Sequence, residues 1–241
     1  MAIEIGRIEA LYRYPVKSMG GESLEQAQLG FHGIEGDRRL AFRMLEARHG
    51  FPWLSGGWLP ELLSYTPVRR PNAKAPLPTH VRTPDGEELP MFSEELAAEV
   101  SHRHGHPVQM MQLKHGIFDE ASVSVIATST IDELGRLTQT PADVRRFRPN
   151  VVVRTTSNNP FEEDQWVGGT LRFGEGPDAP TVAVTMRDLR CSMINIDPEG
   201  GPTNPALMKA CVQANDNNAG VYCTVTRDGP LAVGQAITLH R

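Results

Sequence analysis

The sequence predicts a mainly β protein with a few helices (α+β), folded as barrels. Strand-like segments are short and recur along most of the 241 residues. The 22 glycines and 19 prolines punctuate these segments, a pattern typical of barrels rather than of a parallel sheet. Because 39% of the residues are apolar, the chain can bury a core in one large domain or two smaller ones.

Strands are predicted where alternating or continuous apolar residues run into turn signals such as PDG at residues 84–86 and DG at 228–229. These strands cover residues 3–14, 39–44, 80–83, 150–154, 170–173, 181–185, 221–225 and 235–240.

Helices are predicted at three segments with start and stop signals. They are residues 93–105, from a serine to a glycine; residues 131–137, where Thr130 and Glu133 fit a capping box; and residues 206–212, after Asn204 and Pro205. The break before the first helix divides the chain into an N-terminal β-barrel-like domain, residues 1–92, and a second domain, residues 93–241. The loop at residues 105–107 is the alternative boundary.

Charge and cysteine content exclude several classes of protein. A net charge of −5 argues against a general attraction to nucleic acid. Three cysteines without a CxxC pair favour a reducing compartment over a disulfide-rich secreted domain, a zinc framework or an iron–sulfur run. Without a signal-peptide pattern or about 20 consecutive apolar residues, no membrane span is expected, and a cytoplasmic location follows.

Three segments carry the parts of an anion site. Lys17 and Ser18 precede two glycines, which suits a phosphate nest. In residues 33–39, two adjacent arginines stand at the start of a predicted strand. In residues 145–150 (RRFRPN), three arginines and an asparagine stand where another predicted strand begins. The alternatives for these segments are an ordinary glycine turn and a solvated strand start.

Cys191 is the candidate reactive thiol. Arg187 and Arg190 precede it and would favour its thiolate, and a turn at residues 197–201 follows. The alternative is a small buried hydrophobic residue, the interpretation we give Cys211 and Cys223. The histidines at 102–106 end a predicted helix, where they suit the negative end of its dipole. No GxSxG motif suggests a serine hydrolase.

Taken in order, these segments resemble the MOSC superfamily, and more closely its members with a MOSC N-terminal β-barrel domain, such as YcbX-like proteins and the mitochondrial amidoxime-reducing component. YPVKS at 14–18 and GDR at 36–38 resemble the N-terminal module. The MOSC module is represented by RFRPN at 146–150, residues 163–168, RC at 190–191, DP at 197–198 and VG at 233–234. The resemblance implies an N-terminal β-barrel followed by a MOSC β-barrel.

The resemblance also implies a molybdenum cofactor (molybdopterin) whose metal is bound by Cys191. The residues that would hold the pterin and its phosphate are Lys17, Ser18, Arg38, Arg148 and Asn150, with a softer match for Thr128 and Ser129 at a helix start. Pyridoxal phosphate is a further ligand that the family allows.

The implied activity is reduction of N-hydroxylated compounds, such as hydroxylamines and amidoximes, to the amine or amidine and water. With too few cysteines for an appended ferredoxin-like domain, electrons would come from a separate ferredoxin, flavodoxin or cytochrome-type protein with its reductase. Where relatives often have threonines after the cysteine, MIN stands at residues 193–195, which bears on substrate preference. The alternatives are a sulfur carrier with a persulfide on Cys191 and a non-catalytic module that binds a pterin or another anion.

Overall fold

The computed structural model describes residues 2–47, 50–70 and 77–241, and it confirms a mainly β fold. The strands are β1 (Ala2–Arg13), β2 (Glu22–Leu24), β3 (Gln26–Gly30), β4 (Gly33–Ile34), β5 (Leu40–Met44), β6 (Thr66–Val68), β7 (His80–Arg82), β8 (Glu88–Pro90), β9 (Val108–Gln112), β10 (Val123–Ala127), β11 (Val151–Thr155), β12 (Thr170–Phe173), β13 (Thr181–Leu189), β14 (Asn218–Arg227), β15 (Gly229–Ala232) and β16 (Ala236–His240). The α-helices are α1 (Glu94–His104), α2 (Thr128–Thr138) and α3 (Pro205–Asn215), and short 3₁₀ helices cover Pro60–Ser64, Val144–Arg146, Glu162–Trp166 and Ser192–Asn195. None of the helices in these ranges has both the length and the apolar character that a membrane crossing needs.

Seven strands close into a barrel. They follow the order β11-β10-β14-β13-β12-β16-β1, and β1 pairs back onto β11. Only the β10–β11 pair in this ring is parallel. Closure leaves no free edge in the ring, and the interior is filled by side chains. Buried members of this core include Ile8, Leu11, Val125, Val151, Leu171, Phe173, Val184, Val221 and Ile237.

A second hydrophobic core lies under α1. There β5 pairs with β9, while β6, β7 and β8 form a separate three-stranded sheet. The buried residues of this second core include Val16, Leu40, Phe42, Tyr65, Val81, Leu96 and Val100. Strand pairing crosses the predicted boundary four times, because β1 pairs with β11 and β16, β3 pairs with β15, and β5 pairs with β9. The boundary at residue 92 stays a prediction.

The helix termini follow the sequence signals in α1 and α3 but not in α2. Ser93 caps α1 by accepting a hydrogen bond from the Leu96 amide, and Gly105 ends it in the left-handed conformation. In α2 the capping box does not form, since the helix begins at Thr128. The hydroxyl of Thr130 instead donates to the Glu163 carboxylate, 2.9 Å away.

Candidate functional site

Four predicted segments that are far apart in the sequence meet around one cavity of about 450 Å³. Five of the predicted site residues line it: Lys17, Ser18, Arg38, Arg148 and Cys191. The volume lies in the range typical of small-molecule sites. The wall combines cations with an exposed thiol, so the cavity suits an anionic ligand beside a nucleophile or soft metal ligand.

Arg38 and Arg148 both lie against the same aromatic ring. Their guanidinium carbons lie 5.1 and 4.3 Å from the centroid of the buried Tyr14 ring. Arg38 Nη2 donates to the carbonyl oxygen of Arg148 at 3.1 Å, and Arg148 Nη1 donates to the carbonyl oxygen of Met19 at 2.6 Å. These contacts hold two cations close together against their mutual repulsion.

Backbone strain accumulates at the same wall. Ser18, Arg38 and Arg148 adopt left-handed φ values of 63°, 50° and 51°. For residues with a Cβ, such a conformation costs on the order of 1–3 kcal/mol each and persists only where its surroundings enforce it. Three such residues therefore lie on one cavity wall, where the surrounding contacts must enforce their conformation.

Asp37 is the buried carboxylate that organises these cations, and the sequence analysis did not assign it to the site. Its Oδ1 accepts from the Tyr14 amide at 2.7 Å, and its Oδ2 accepts from Arg38 Nη1. Asn150 Nδ2 also donates to Asp37 Oδ2, at 3.2 Å. Asn150 is therefore behind the cavity wall, where it orients Asp37, and does not line the cavity.

Lys17 is a buried cation with one carboxylate partner. Its side chain is 7% exposed, and its Nζ donates to Asp119 Oδ1 at 2.7 Å. Burial lowers the pKa of Lys17, and the Asp119 carboxylate only partly offsets this effect. The ammonium group also lies 5.3 Å from the centroid of the Phe51 ring.

Arg148 has an unused donor. Its Nη2 atom is buried and has no hydrogen-bond partner among the described residues. Burial, together with the nearby positive charge of Arg38, lowers the pKa of Arg148 to about 10. A buried donor without a partner is unfavourable, and an anionic oxygen is the partner that would satisfy it best.

Arginines hold the loop of residues 191–197, called the Cys191 loop, through hydrogen bonds on both sides. Arg146 Nη1 donates to the carbonyl oxygens of Asn195 and Ile196 at 3.0 and 2.7 Å, and its Nη2 contacts Asp197 at 2.8 Å. These contacts hold the loop while the thiol of Cys191 remains exposed at the cavity.

Arg190, directly before Cys191, is buried and holds the other side of the Cys191 loop. It donates to the carbonyl oxygens of Ala219 and Phe147 at 2.7 and 2.8 Å and pairs with Asp188 at 2.8 Å. Arg187 binds Asn215 and Asp164. Both guanidinium groups that the sequence suggested for the thiolate are thus committed to other partners. Cys211 and Cys223 are buried, as predicted.

The cavity also includes a carboxylate that no sequence signal indicated. Asp188 is 1% exposed and accepts from the Ser124 hydroxyl at 2.9 Å; burial raises the pKa of Asp188 despite the nearby Arg190. Asp188 and Ser124 line the cavity together with Tyr222. The only available clue was the position of Asp188 three residues before the cysteine.

Thr128 and Ser129 are not brought to the cavity. The Thr128 hydroxyl donates to the Glu9 carboxylate, and Ser129 Oγ donates to the carbonyl oxygen of Asn159 at 2.9 Å. Both hydroxyl groups are therefore used in contacts of the barrel exterior and α2, away from Lys17 and Arg148.

Gly21, the second of the two glycines after Lys17 and Ser18, leaves room for the Tyr14 ring. A Cβ at this position would lie 2.4 Å from the Tyr14 ring, the platform under the two arginines. We expect Gly21→Ala to lower the free energy of unfolding by about 1–3 kcal/mol, because the ring must shift. Urea titration measures this change, with Gly50→Ala as a control, since an added Cβ there meets no described atom within 4 Å. Equal stability of the two variants would contradict the steric reason.

Glu163 gives the fold a pH dependence. It is buried between the Ala127 amide and Thr130, and burial raises the pKa of Glu163 from 4.5 to about 7. Between pH 4.5 and about 7, the folded state therefore holds a proton that the unfolded chain has lost. The free energy of unfolding falls as the pH rises through this range. We expect the Glu163 carboxyl group to lower the free energy of unfolding by about 3 kcal/mol across this pH range.

Glu163→Gln should remove that part of the slope. Urea unfolding between pH 4.5 and 8 measures the slope, with the exposed Glu175→Gln as a control. A Glu163→Gln profile as steep as that of the wild type would show that another group causes the dependence.

The donor set fits a metal that arrives with its own ligands better than a protein-built metal centre. Within residues 2–47, 50–70 and 77–241, no group of three or more His, Cys, Asp or Glu side chains could hold an ion. Cys191 offers a single exposed thiol, and Arg148 offers a buried donor that lacks an acceptor. A cofactor with an anionic group and an incompletely ligated soft metal would use both.

Comparison with known proteins identifies relatives. The family model for the MOSC domain matches residues 91–238, and that for the MOSC N-terminal beta barrel domain matches residues 5–50, which confirms the resemblance. No curated protein matches the chain.

Among solved structures, the YuaD protein from Bacillus subtilis is 15% identical with a TM-score of 0.56, and the match covers 100% of this chain and 97% of that one. YiiM from Geobacillus stearothermophilus is 18% identical with a TM-score of 0.39, and it covers 50% of this chain and 55% of its own. At these identities the similarity to YuaD shows the fold alone.

Proposed function

Because the chain belongs to the MOSC domain family, we propose that it is a molybdenum-cofactor-binding oxidoreductase that reduces N-hydroxylated compounds. One observation carries the proposal: the exposed thiol of Cys191 and the cations Lys17, Arg38 and Arg148 line the same cavity. That combination matches a ligand with a soft metal at one end and an anionic group at the other.

The residues that would hold the cofactor divide by chemistry. Cys191 would bind the metal through its thiolate. Lys17 and Arg148 would bind phosphate oxygens, since Lys17 has a single carboxylate partner and Arg148 has a free donor. Ser18 and Arg38 lie on the same wall, and Asn150 supports them through Asp37. When bound, the cofactor would supply two-electron oxygen-atom chemistry.

The chain's own residues would orient the reaction and hold protons. Reducing an N-hydroxyl group to N–H and water takes two electrons and two protons. Asp188 lines the cavity, and burial raises its pKa, so it would be the group that takes up and passes on a proton there. Arg146 and Arg190 would keep Cys191 in one position by holding the loop on both sides.

The substrate would enter over an apolar rim. Leu189 is 66% exposed and Phe51 is 49% exposed, and both line the cavity together with Met193. We propose small N-hydroxylated molecules, with electrons delivered by a separate ferredoxin, flavodoxin or cytochrome-type protein in the cytoplasm. A hydroxylamine or amidoxime with an apolar substituent would suit this rim.

Turnover with a chemical reductant tests the activity without requiring the natural partner. Protein produced in cells that make molybdenum cofactor is incubated with reduced methyl viologen and benzamidoxime, and benzamidine is measured. We expect turnover by the wild type and by the neighbouring control Ser192→Ala, and loss in Cys191→Ser. Cofactor-loaded protein that reduces neither an amidoxime nor a hydroxylamine contradicts the proposed activity. Sulfane sulfur on Cys191 without metal would instead support a sulfur carrier.

A further inference from the structure

The loop between β9 and β10 brings a carboxylate to the cationic wall. Asp119 on this loop contacts Lys17 at 2.7 Å, and both residues line the cavity. The two partners differ greatly in exposure, since the Lys17 side chain is 7% exposed and that of Asp119 is 66% exposed. The pair therefore joins a fixed, buried cation to an acid that reaches in from the solvent side.

Asp119 interacts with the whole cation cluster. The positive charges of Lys17, Arg38 and Arg148 each favour the ionised form of Asp119 and together lower its pKa. The carboxylate therefore occupies the positive potential that would otherwise attract an anionic ligand.

Asp37 and Asp119, which both contact this cluster, differ in how firmly they are held. Asp37 is 1% exposed and accepts from the Tyr14 amide, Arg38 and Asn150, so it is part of the framework. Asp119 is exposed, and its one hydrogen bond among the described residues is to Lys17. Water can solvate Asp119 once it leaves, so Asp119 can be exchanged for another anion at much lower cost.

The loop is anchored next to this residue and not at it. The amides of Leu113 and Ile117 donate to the carbonyl oxygens of Arg39 and Arg38 at 2.8 and 2.9 Å. The Phe118 ring centroid lies 6.0 Å from the guanidinium carbon of Arg38. A rotamer change of Asp119 could therefore release Lys17 while the anchored part of the loop stays in place.

We propose that Asp119 is a resident counter-ion that an anionic ligand displaces from Lys17, and that it thereby sets the anion affinity of the cavity. This inference rests on the proposed function to the extent that the natural ligand carries a phosphate. A phosphate group brings more charge and more acceptor oxygens than the carboxylate it replaces, so the exchange favours phosphates over monocarboxylates.

Calorimetric titration of the protein without cofactor, with inorganic phosphate and with pyrophosphate at fixed ionic strength, tests the inference. We expect Asp119→Asn to bind both anions about three- to tenfold more tightly than the wild type, because the competing partly exposed ion pair is gone. Glu175→Gln removes the same charge from an exposed residue that does not line the cavity. It should change affinity by less than about twofold, since screened charges outside the site contribute little.

A double-mutant cycle separates displacement from a general change in charge. In a Lys17→Met background, Asp119→Asn should lose most of its effect on phosphate affinity, because the contact that it relieves no longer exists. Near-ultraviolet circular dichroism of each variant verifies that the fold is retained. Unchanged or weaker phosphate binding by Asp119→Asn would overturn the inference, and so would the absence of binding to either protein. The metal content of cofactor-loaded protein is a separate result, so failure of the proposed function and failure of this inference are distinguishable.

Discussion

Asp37→Asn should lower the free energy of unfolding by about 3–5 kcal/mol, the usual cost of leaving a buried charge without its partner. Asparagine is nearly the same size and can still accept from the Tyr14 amide. It cannot neutralise Arg38, which lies with Arg148 against the same ring. The two cations would then repel each other without compensation, and we expect cofactor loading to be lost together with stability.

Urea unfolding and the content of bound cofactor measure the two effects. Glu35→Gln is the matched control, because Glu35 is exposed on the same turn. Its effect should stay within about 0.5 kcal/mol. An Asp37→Asn protein as stable and as well loaded as this control would show that Asp37 does not organise the cations.

Arg190→Met should have an effect of similar size, about 3–5 kcal/mol, for a different reason. Removing the guanidinium leaves Asp188 in a buried site without its cation and leaves the carbonyl oxygens of Phe147 and Ala219 without their donor. Because the unpaired Asp188 would then favour its protonated form more strongly, the loss should be larger at pH 8 than at pH 5.

Urea unfolding at these two pH values measures the effect, with Arg187→Met as a control. Arg187 is partly exposed and binds Asn215 and Asp164. Its removal should cost less and should leave the Cys191 loop in place. Equal losses at pH 5 and pH 8 in Arg190→Met would contradict the role given to the Arg190–Asp188 pair.

Local patterns predicted the longer elements of the fold well. The predicted strand at 170–173 coincides with β12, and α1 and α3 begin at the caps that the sequence indicated. The strand β10, a run of five buried residues, was not predicted, because a strand buried on both faces has no alternation to detect. Strands of two or three residues such as β4 and β2 were not predicted either, since their pairing depends on long-range partners.

In the candidate site, too, local motifs were predicted and long-range contacts were not. Lys17, Arg38, Arg148 and Cys191 stand in recognisable local motifs, and the structure brings them to one cavity. Asp37 pairs with the adjacent Arg38, but its other contacts are with residues far away in the sequence, such as Asn150, 113 positions away. Thr128 and Ser129 matched a pattern for phosphate binding at a helix start, yet the barrel directs their hydroxyls to other partners. Sequence spacing identified the chemical groups, but not the direction that each one faces.

The cooperation of Cys191 with the cation cluster in holding molybdenum cofactor is tested most directly by metal and pterin analysis. The measurement is the molybdenum and pterin content of protein purified from cells that make the cofactor, for the wild type, Cys191→Ala and the control Ser192→Ala. The account predicts stoichiometric molybdenum and pterin in the wild type and the control, and loss of the molybdenum in Cys191→Ala. Wild-type protein without molybdenum but with sulfane sulfur on Cys191, or molybdenum retained in Cys191→Ala, would contradict it.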